Sequence, residues 1–196
     1  FLAALPVPIM YTYDITHKTA VMLKRLLKDD VHWQAFVGKC VETKRLVLHT
    51  DQGHLAPPKP ADKARWLNLD SYVAWANALR AYAAERRFAT ATDPEAARFR
   101  EFFGWLDLYA AHLVRWSITV EVLRAAKTEV KKHGLRKATT AAFLKRTDRI
   151  PGAAAAIPGT VAELRLFFHG QAALLPDQHQ WLGSADLIES VFGKYK

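Results

Sequence analysis

The stretch Phe99–Gly134, FREFFGWLDLYAAHLVRWSITVEVLRAAKTEVKKHG, decides the fold class. Phe99, Phe102, Leu106, Tyr109, Leu113, Trp116, Val120 and Leu123 recur at alternating spacings of three and four, which keeps them on one helical seam. Arg100, Asp107, Arg115 and Glu121 fall on the opposite face. The pattern predicts one long helix ending at Gly134, a residue type that readily takes the left-handed conformation closing many helices. Neighbouring segments carry matching apolar faces, so the seam is expected inside an antiparallel bundle. Pairing of the same seam with a second copy of the chain, as a homo-oligomeric coiled coil, is the alternative.

Working outward, Ala20, Leu23, Leu26 and Leu27 recur at helical spacing from about Thr16, and a second helix is expected over Val31–His49. Prolines 57, 58 and 60 then break helix, so Gly53–Pro60 reads as a linker or turn. Further helices are expected over Ser71–Arg87 (capped by Asp70 or Ser71), after an Asp93-Pro94-Glu95 start, over Lys137–Arg146 and over Val161–Leu175. A last one is expected after Gly183, with Ser184 as its cap. Against this background Val7–Tyr13 stands out. Its apolar and aromatic run, bounded by Pro6, Pro8 and Asp14, predicts a strand in a sheet covered on both faces.

A chain of 196 residues with 51% hydrophobic residues can bury a substantial core. Its formal net charge of +9 attracts polyanions, either nucleic acid or an acidic membrane surface, although a merely basic domain carries the same charge. No apolar run is long enough to span a bilayer. The single cysteine, Cys40, permits no internal disulfide and fits a reducing compartment. It shares a helical face with Trp33, Phe36, Val37 and Val47, which predicts a buried, inert thiol. The chain opens on Phe1 without signal-peptide features and stops at Lys196 within a helical pattern, so both ends are expected to be cuts through a longer polypeptide.

Two acidic motifs carry the candidate chemistry. In Tyr13-Asp14-Ile15-Thr16-His17-Lys18 a carboxylate closes the expected strand. Asp14 there is either a plain helix cap or a metal ligand held at a strand end. His17 is either a capping and packing residue or a group that orients a phosphate or orders Asp14. In Glu189-Ser190-Val191-Phe192-Gly193-Lys194-Tyr195-Lys196, seven residues make nearly two helical turns, so Glu189 and Lys196 share a side. A metal-binding carboxylate and a phosphate-binding ammonium suit that arrangement; a solvated amphipathic helix is the alternative. Lys59, Lys63 and Arg65 form one basic cluster, and Lys127, Lys131, Lys132, His133, Arg136 and Lys137 another. Each is either a phosphate-backbone contact or a solvated face favouring a helix dipole. Trp66, Trp75, Trp105 and Trp116 are expected in the core rather than stacked on bases.

The ordered series Tyr13-Asp-Ile-Thr-His-Lys18, Trp33-Gln-Ala-Phe36, Ala56-Pro-Pro58, Lys63-Ala-Arg-Trp-Leu-Asn-Leu69, Leu182-Gly-Ser184 and Glu189-Ser-Val-Phe-Gly-Lys194 resembles DDE-type transposases of bacterial insertion sequences. The resemblance implies a mainly α fragment, in which a helical bundle is inserted between one strand and the final helix of a ribonuclease-H-like α/β core. Its segments would be residues 1–18 (the strand with the second Asp), 19–180 (the all-helical insertion) and 181–196 (the helix with the catalytic Glu). Asp14 and Glu189 would then be catalytic and hold Mg²⁺ or Mn²⁺, with His17 and Lys196 assisting at the phosphate. Lys59, Lys63, Arg65, Lys131, Lys132 and Lys194 would contact DNA, both transposon ends and target, in the bacterial cytoplasm at the nucleoid. The family's first Asp belongs on a core strand ahead of Phe1. Without it the chain alone is expected to be inactive, and a non-catalytic basic helical module is the rival reading.

Overall fold

The computed structural model describes residues 13–59 and 68–183. Helices are α1 (Ile15–Lys28), α2 (Val31–Val47), α3 (Leu69–Glu85), α4 (Pro94–Phe103), α5 (Ala110–His133), α6 (Thr139–Thr147), α7 (Ala153–Ala156) and α8 (Pro158–Ala173). Among the described residues, 3-10 segments occupy Gly53–Leu55 and Gly104–Tyr109. No strand occurs among the described residues, and one antiparallel bridge pairs Leu135 with Trp181. The protein is therefore mainly helical. The strand expected at Val7–Tyr13 lies outside the described residues except for Tyr13, which has no regular structure. The expected helix after Gly183 lies wholly outside them.

The single long helix predicted from the Phe99–Leu123 seam is two helices. α4 stops at Phe103 (φ −123°, ψ −6°), and the chain winds as 3-10 before α5 begins. Trp105 accounts for the break: its indole N–H donates to the Phe102 carbonyl at 2.9 Å, engaging an acceptor that a continuous α-helix needs for its own ladder. The same indole lies within hydrogen-bond reach of Thr43 Oγ1 on α2, also at 2.9 Å. The seam's burial follows the prediction, since Phe99, Leu106, Leu113, Trp116, Val120 and Leu123 are all buried within the chain. Phe102 and Tyr109 of the same seam are half-buried.

Local start signals explain the other helix bounds. Asp93 caps α4, its carboxylate accepting from Ala96 N–H at 2.9 Å, and Pro94 opens the helix. Asp30 caps α2 by accepting from His32 and Trp33 N–H. α3 begins at Leu69, earlier than expected, and neither Asp70 nor Ser71 is its cap; Ser71 Oγ instead donates to the Asn68 carbonyl. Pro158 starts α8 instead of preceding it, because a first-turn residue needs no N–H donor. The alanine run 153–156 forms the short α7.

The chain divides into two compact units, Phe1–Met22 with Glu121–Lys196, and Leu23–Val120. Residues 13–18 and 181–183 fall in the same unit. The core of the second unit is aromatic: Trp33, Phe36, Tyr72, Phe103 and Trp116 are each no more than 3% exposed. Trp75 and Trp105 are half-buried, and Trp66 lies outside the described residues. Cys40 is buried as expected, and desolvation pushes its thiol well above the ordinary value, which makes it unreactive.

In the first unit α8 packs against α6 and α7, with Phe143 and Phe168 in contact at 5.1 Å. Gly134 ends α5 at φ +60°, and Leu135 then exchanges backbone hydrogen bonds with Trp181 at 2.7 and 2.9 Å. Gly183 packs still more tightly. A Cβ there would lie 2.5 Å from Val130 Cγ1 and 2.7 Å from Leu135 Cγ, both on buried residues. Gly183→Ala is therefore expected to cost about 1–3 kcal/mol by overpacking, measured as a loss of unfolding free energy in urea. An unchanged midpoint would mean that the segment is not seated there.

Candidate functional site

Asp14 sits at the start of α1. Its Oδ1 accepts from His17 N–H at 2.8 Å, and its carbonyl accepts from Lys18 N–H at 2.9 Å, so it caps the helix. Tyr13 fixes the approach: its N–H donates to Gln171 Oε1 at 2.9 Å, and its ring meets Phe167 edge-on at 6.3 Å. Lys18 follows one turn on. It pairs with Glu163 at 2.6 Å with both side chains half-buried, and its Nζ lies 5.8 Å from the Phe167 ring centroid. His17 is exposed, with its ring 5.5 Å from that of Tyr13. The motif 13–18 is thus anchored to α8.

One contact bears directly on the second motif. Ile15, fully buried, donates its N–H to the Gly183 carbonyl at 2.9 Å. The residue after Asp14 is therefore joined to the segment leading towards Glu189. Glu189, Lys194 and Lys196 lie outside the described residues, as do Lys63 and Arg65.

A divalent ion needs several hard oxygen donors. Asp14 offers one carboxylate of the right chemistry, with Oδ1 engaged by the His17 amide. Among the described residues no group of three or more His, Cys, Asp or Glu side chains gathers as a metal centre. No helix among the described residues is long and apolar enough to cross a membrane.

Lys59 is exposed after the 3-10 turn at Gly53–Leu55. Lys131 and Lys132 are exposed in the last turn of α5, where cations also favour the helix dipole. Arg136 of the same cluster and Arg146 hold a buried carboxylate. Arg136 Nη2 donates to Glu129 Oε1 at 3.0 Å, and Arg146 Nε donates to Glu129 Oε2 at 2.7 Å. Arg146 Nη2 also lies 3.4 Å from His133 Nε2. Glu129 itself is 1% exposed. Burial alone would push its carboxyl up; the hydrogen bonds from Arg146 and Arg136 and the charges of Arg146 and His133 outweigh that and hold it below the ordinary carboxylate value.

The sequence reading passed over Glu129. Its signal was there: it continues the buried stripe Thr119, Val122, Ala126 on α5, where a carboxylate must find a partner. Comparison of the chain with protein-family models, with curated proteins and with solved structures gave no match.

Proposed function

We propose that this chain is part of a DDE-type transposase, in which Asp14 and Glu189 are two of the carboxylates that hold a divalent ion for cleavage and joining of DNA. The observation that carries the reading is the Ile15–Gly183 hydrogen bond, which ties the Asp14 motif to the segment leading to Glu189. The net charge of +9 supports a polyanionic substrate. The resemblance calls for a further Asp on a core strand, from sequence ahead of Phe1. The setting is the bacterial cytoplasm at the nucleoid, and the helices between the two motifs are the insertion.

The bound Mg²⁺ or Mn²⁺ would supply an activated water for cutting the transposon end and charge neutralisation at the leaving oxygen. The chain's own residues do the rest. Anchored by Tyr13 and Ile15, Asp14 holds its carboxylate in a set place, as a metal ligand requires. His17 presents an exposed imidazole next to it, and Lys196 contributes an ammonium to the scissile phosphate. Lys59, Lys63, Arg65, Lys131, Lys132 and Lys194 contact the phosphate backbones of transposon end and target. In the joining step the freed 3′-hydroxyl attacks a target phosphorus in line, its proton leaves to water, and the target's own 3′-oxygen departs.

One observation favours the rival, a basic helical module without catalysis: capping α1 by itself accounts for Asp14. Iron-directed cleavage separates the two. With Fe²⁺ replacing Mg²⁺, hydroxyl radicals should cut the transposase polypeptide beside both Asp14 and Glu189. Asp14→Asn and Glu189→Gln should each remove both cuts and abolish strand transfer, while DNA affinity stays unchanged. Cuts at neither motif, or cuts insensitive to both substitutions, would leave only the rival.

A further inference from the structure

The second unit holds a cleft of about 650 Å³ between the end of α3 and the α4 to 3-10 segment. Its apolar wall comes from Leu79, Phe88, Phe99, Phe103 and Leu106, all buried. Three guanidinium groups line it, those of Arg80, Arg87 and Arg100, against one carboxylate, Asp107. That volume suits a small organic ligand, and the charge excess suits an anion.

Two features of the lining point to a ligand. Arg80 Nε is buried and makes no hydrogen bond; the guanidinium is ion-paired with Asp107, whose Oδ1 lies 3.7 Å away, and the two side chains are 36% and 81% exposed. A buried donor of this kind is costly unless something accepts from it. Arg87 is held at φ +55°. It stands where a helix ends by the left-handed route: Phe88 N–H donates to Ala83 O at 3.0 Å and Arg87 N–H to Ala84 O at 3.1 Å. Glycine takes that position without strain, yet an arginine occupies it and lines the cleft. Arg100 has a different task. It donates to the carbonyls of Phe88 and Ala91, the latter at 2.7 Å, and so braces the rim.

We propose that this cleft binds a phosphorylated aromatic ligand of mononucleotide size. The phosphate takes hydrogen bonds from Arg80 and Arg87, in the bidentate manner guanidinium groups favour. The ring lies against the apolar lining that Ala83, Ala84 and Ala89 share with the edges of Phe88 and Phe99. The inference does not rest on Asp14 or Glu189.

Titration calorimetry with AMP, adenosine and inorganic phosphate as probes tests it. AMP should bind saturably, and either half alone at least about tenfold more weakly, because ring and phosphate each contribute. Arg87→Gly suits the backbone, so its thermal midpoint should hold or rise. The same variant should weaken AMP binding by about tenfold or more, and Arg80→Gln should do likewise. A single-stranded DNA oligomer identifies the source. Tighter binding than AMP marks one nucleotide of a strand, and weaker binding marks a free nucleotide. Absence of saturable AMP binding, or undiminished binding by a folded Arg87→Gly variant, would overturn the proposal.

Discussion

Replacing Phe36 by alanine is expected to lower the unfolding free energy by about 3–5 kcal/mol, the range found when a fully buried aromatic side chain is deleted. Phe36 is 0% exposed, and its ring lies within 5.1–6.3 Å of the rings of Trp33, Tyr72, Trp105, Tyr109 and Trp116. These five side chains come from α2, α3, the 3-10 segment and α5, so the lost ring is a joint among elements and not a local contact. Most of the pairs are edge-on or tilted, which adds a favourable electrostatic share that an aliphatic filler lacks. Phe36→Leu should therefore restore most but not all of the stability, leaving a deficit of about 1–2 kcal/mol. Urea unfolding followed by tryptophan emission measures both variants, since three of the five partners are tryptophans. Domains of this size are stable by only about 5–15 kcal/mol, so the alanine variant should be partly unfolded well before the parent chain. A loss below about 1 kcal/mol would mean that the ring does not fill the space assigned to it.

Phe36 was legible in the sequence for the same reason that it matters. Trp33, Phe36, Cys40 and Val47 repeat at helical spacing, and one-dimensional periodicity is enough to place them on a buried face. The break between α4 and α5 was not legible. The Trp105 indole that accounts for it lies within hydrogen-bond reach of Thr43, a partner distant in sequence, and no local pattern reports such a contact. Arg87 shows the opposite failure. Its position at the end of α3 calls for glycine, and sequence signals identify helix ends by the residue that ought to be there. At the candidate catalytic site, the capping role of Asp14 followed from its place before α1, and the structure bears out that half of the reading. The joining of Ile15 to Gly183 could not be read from the chain, because nothing in either motif encodes its distance from the other. Glu129 lies between these cases: its place on an apolar stripe was visible, but the arginines that make burial tolerable come from the turn before α6 and from α6 itself.

Arg146→Ala should cost about 3 kcal/mol, because it strips one partner from a carboxylate that cannot return to water. Glu129 would keep the Arg136 bond at 3.0 Å and lose the shorter Arg146 bond at 2.7 Å. Glu129→Gln should cost less, about 1–2 kcal/mol. The two arginines are 39% and 38% exposed, so the charges left behind can be hydrated, whereas a stranded Glu129 cannot. That asymmetry separates a buried anion from a surface ion pair, for which the two losses would be alike and small. The pH dependence carries the same signature. The folded-state value of Glu129 is depressed below the ordinary 4.5, so its contribution is fully present above that value and is lost as the pH falls through the folded-state value. In the parent chain, urea stability should therefore fall on acidification below about pH 4.5. Glu129→Gln removes the titrating group and should flatten that acid limb. Arg146→Ala keeps the burial but removes the strongest counterweight, so the carboxyl should move up towards or past its unfolded-state value, and the acid loss carried by Glu129 should shrink or reverse relative to the parent. An acid limb identical in all three proteins would show that Glu129 titrates as a solvated carboxylate and would remove the buried ion cluster from the account of what holds α5 to α6.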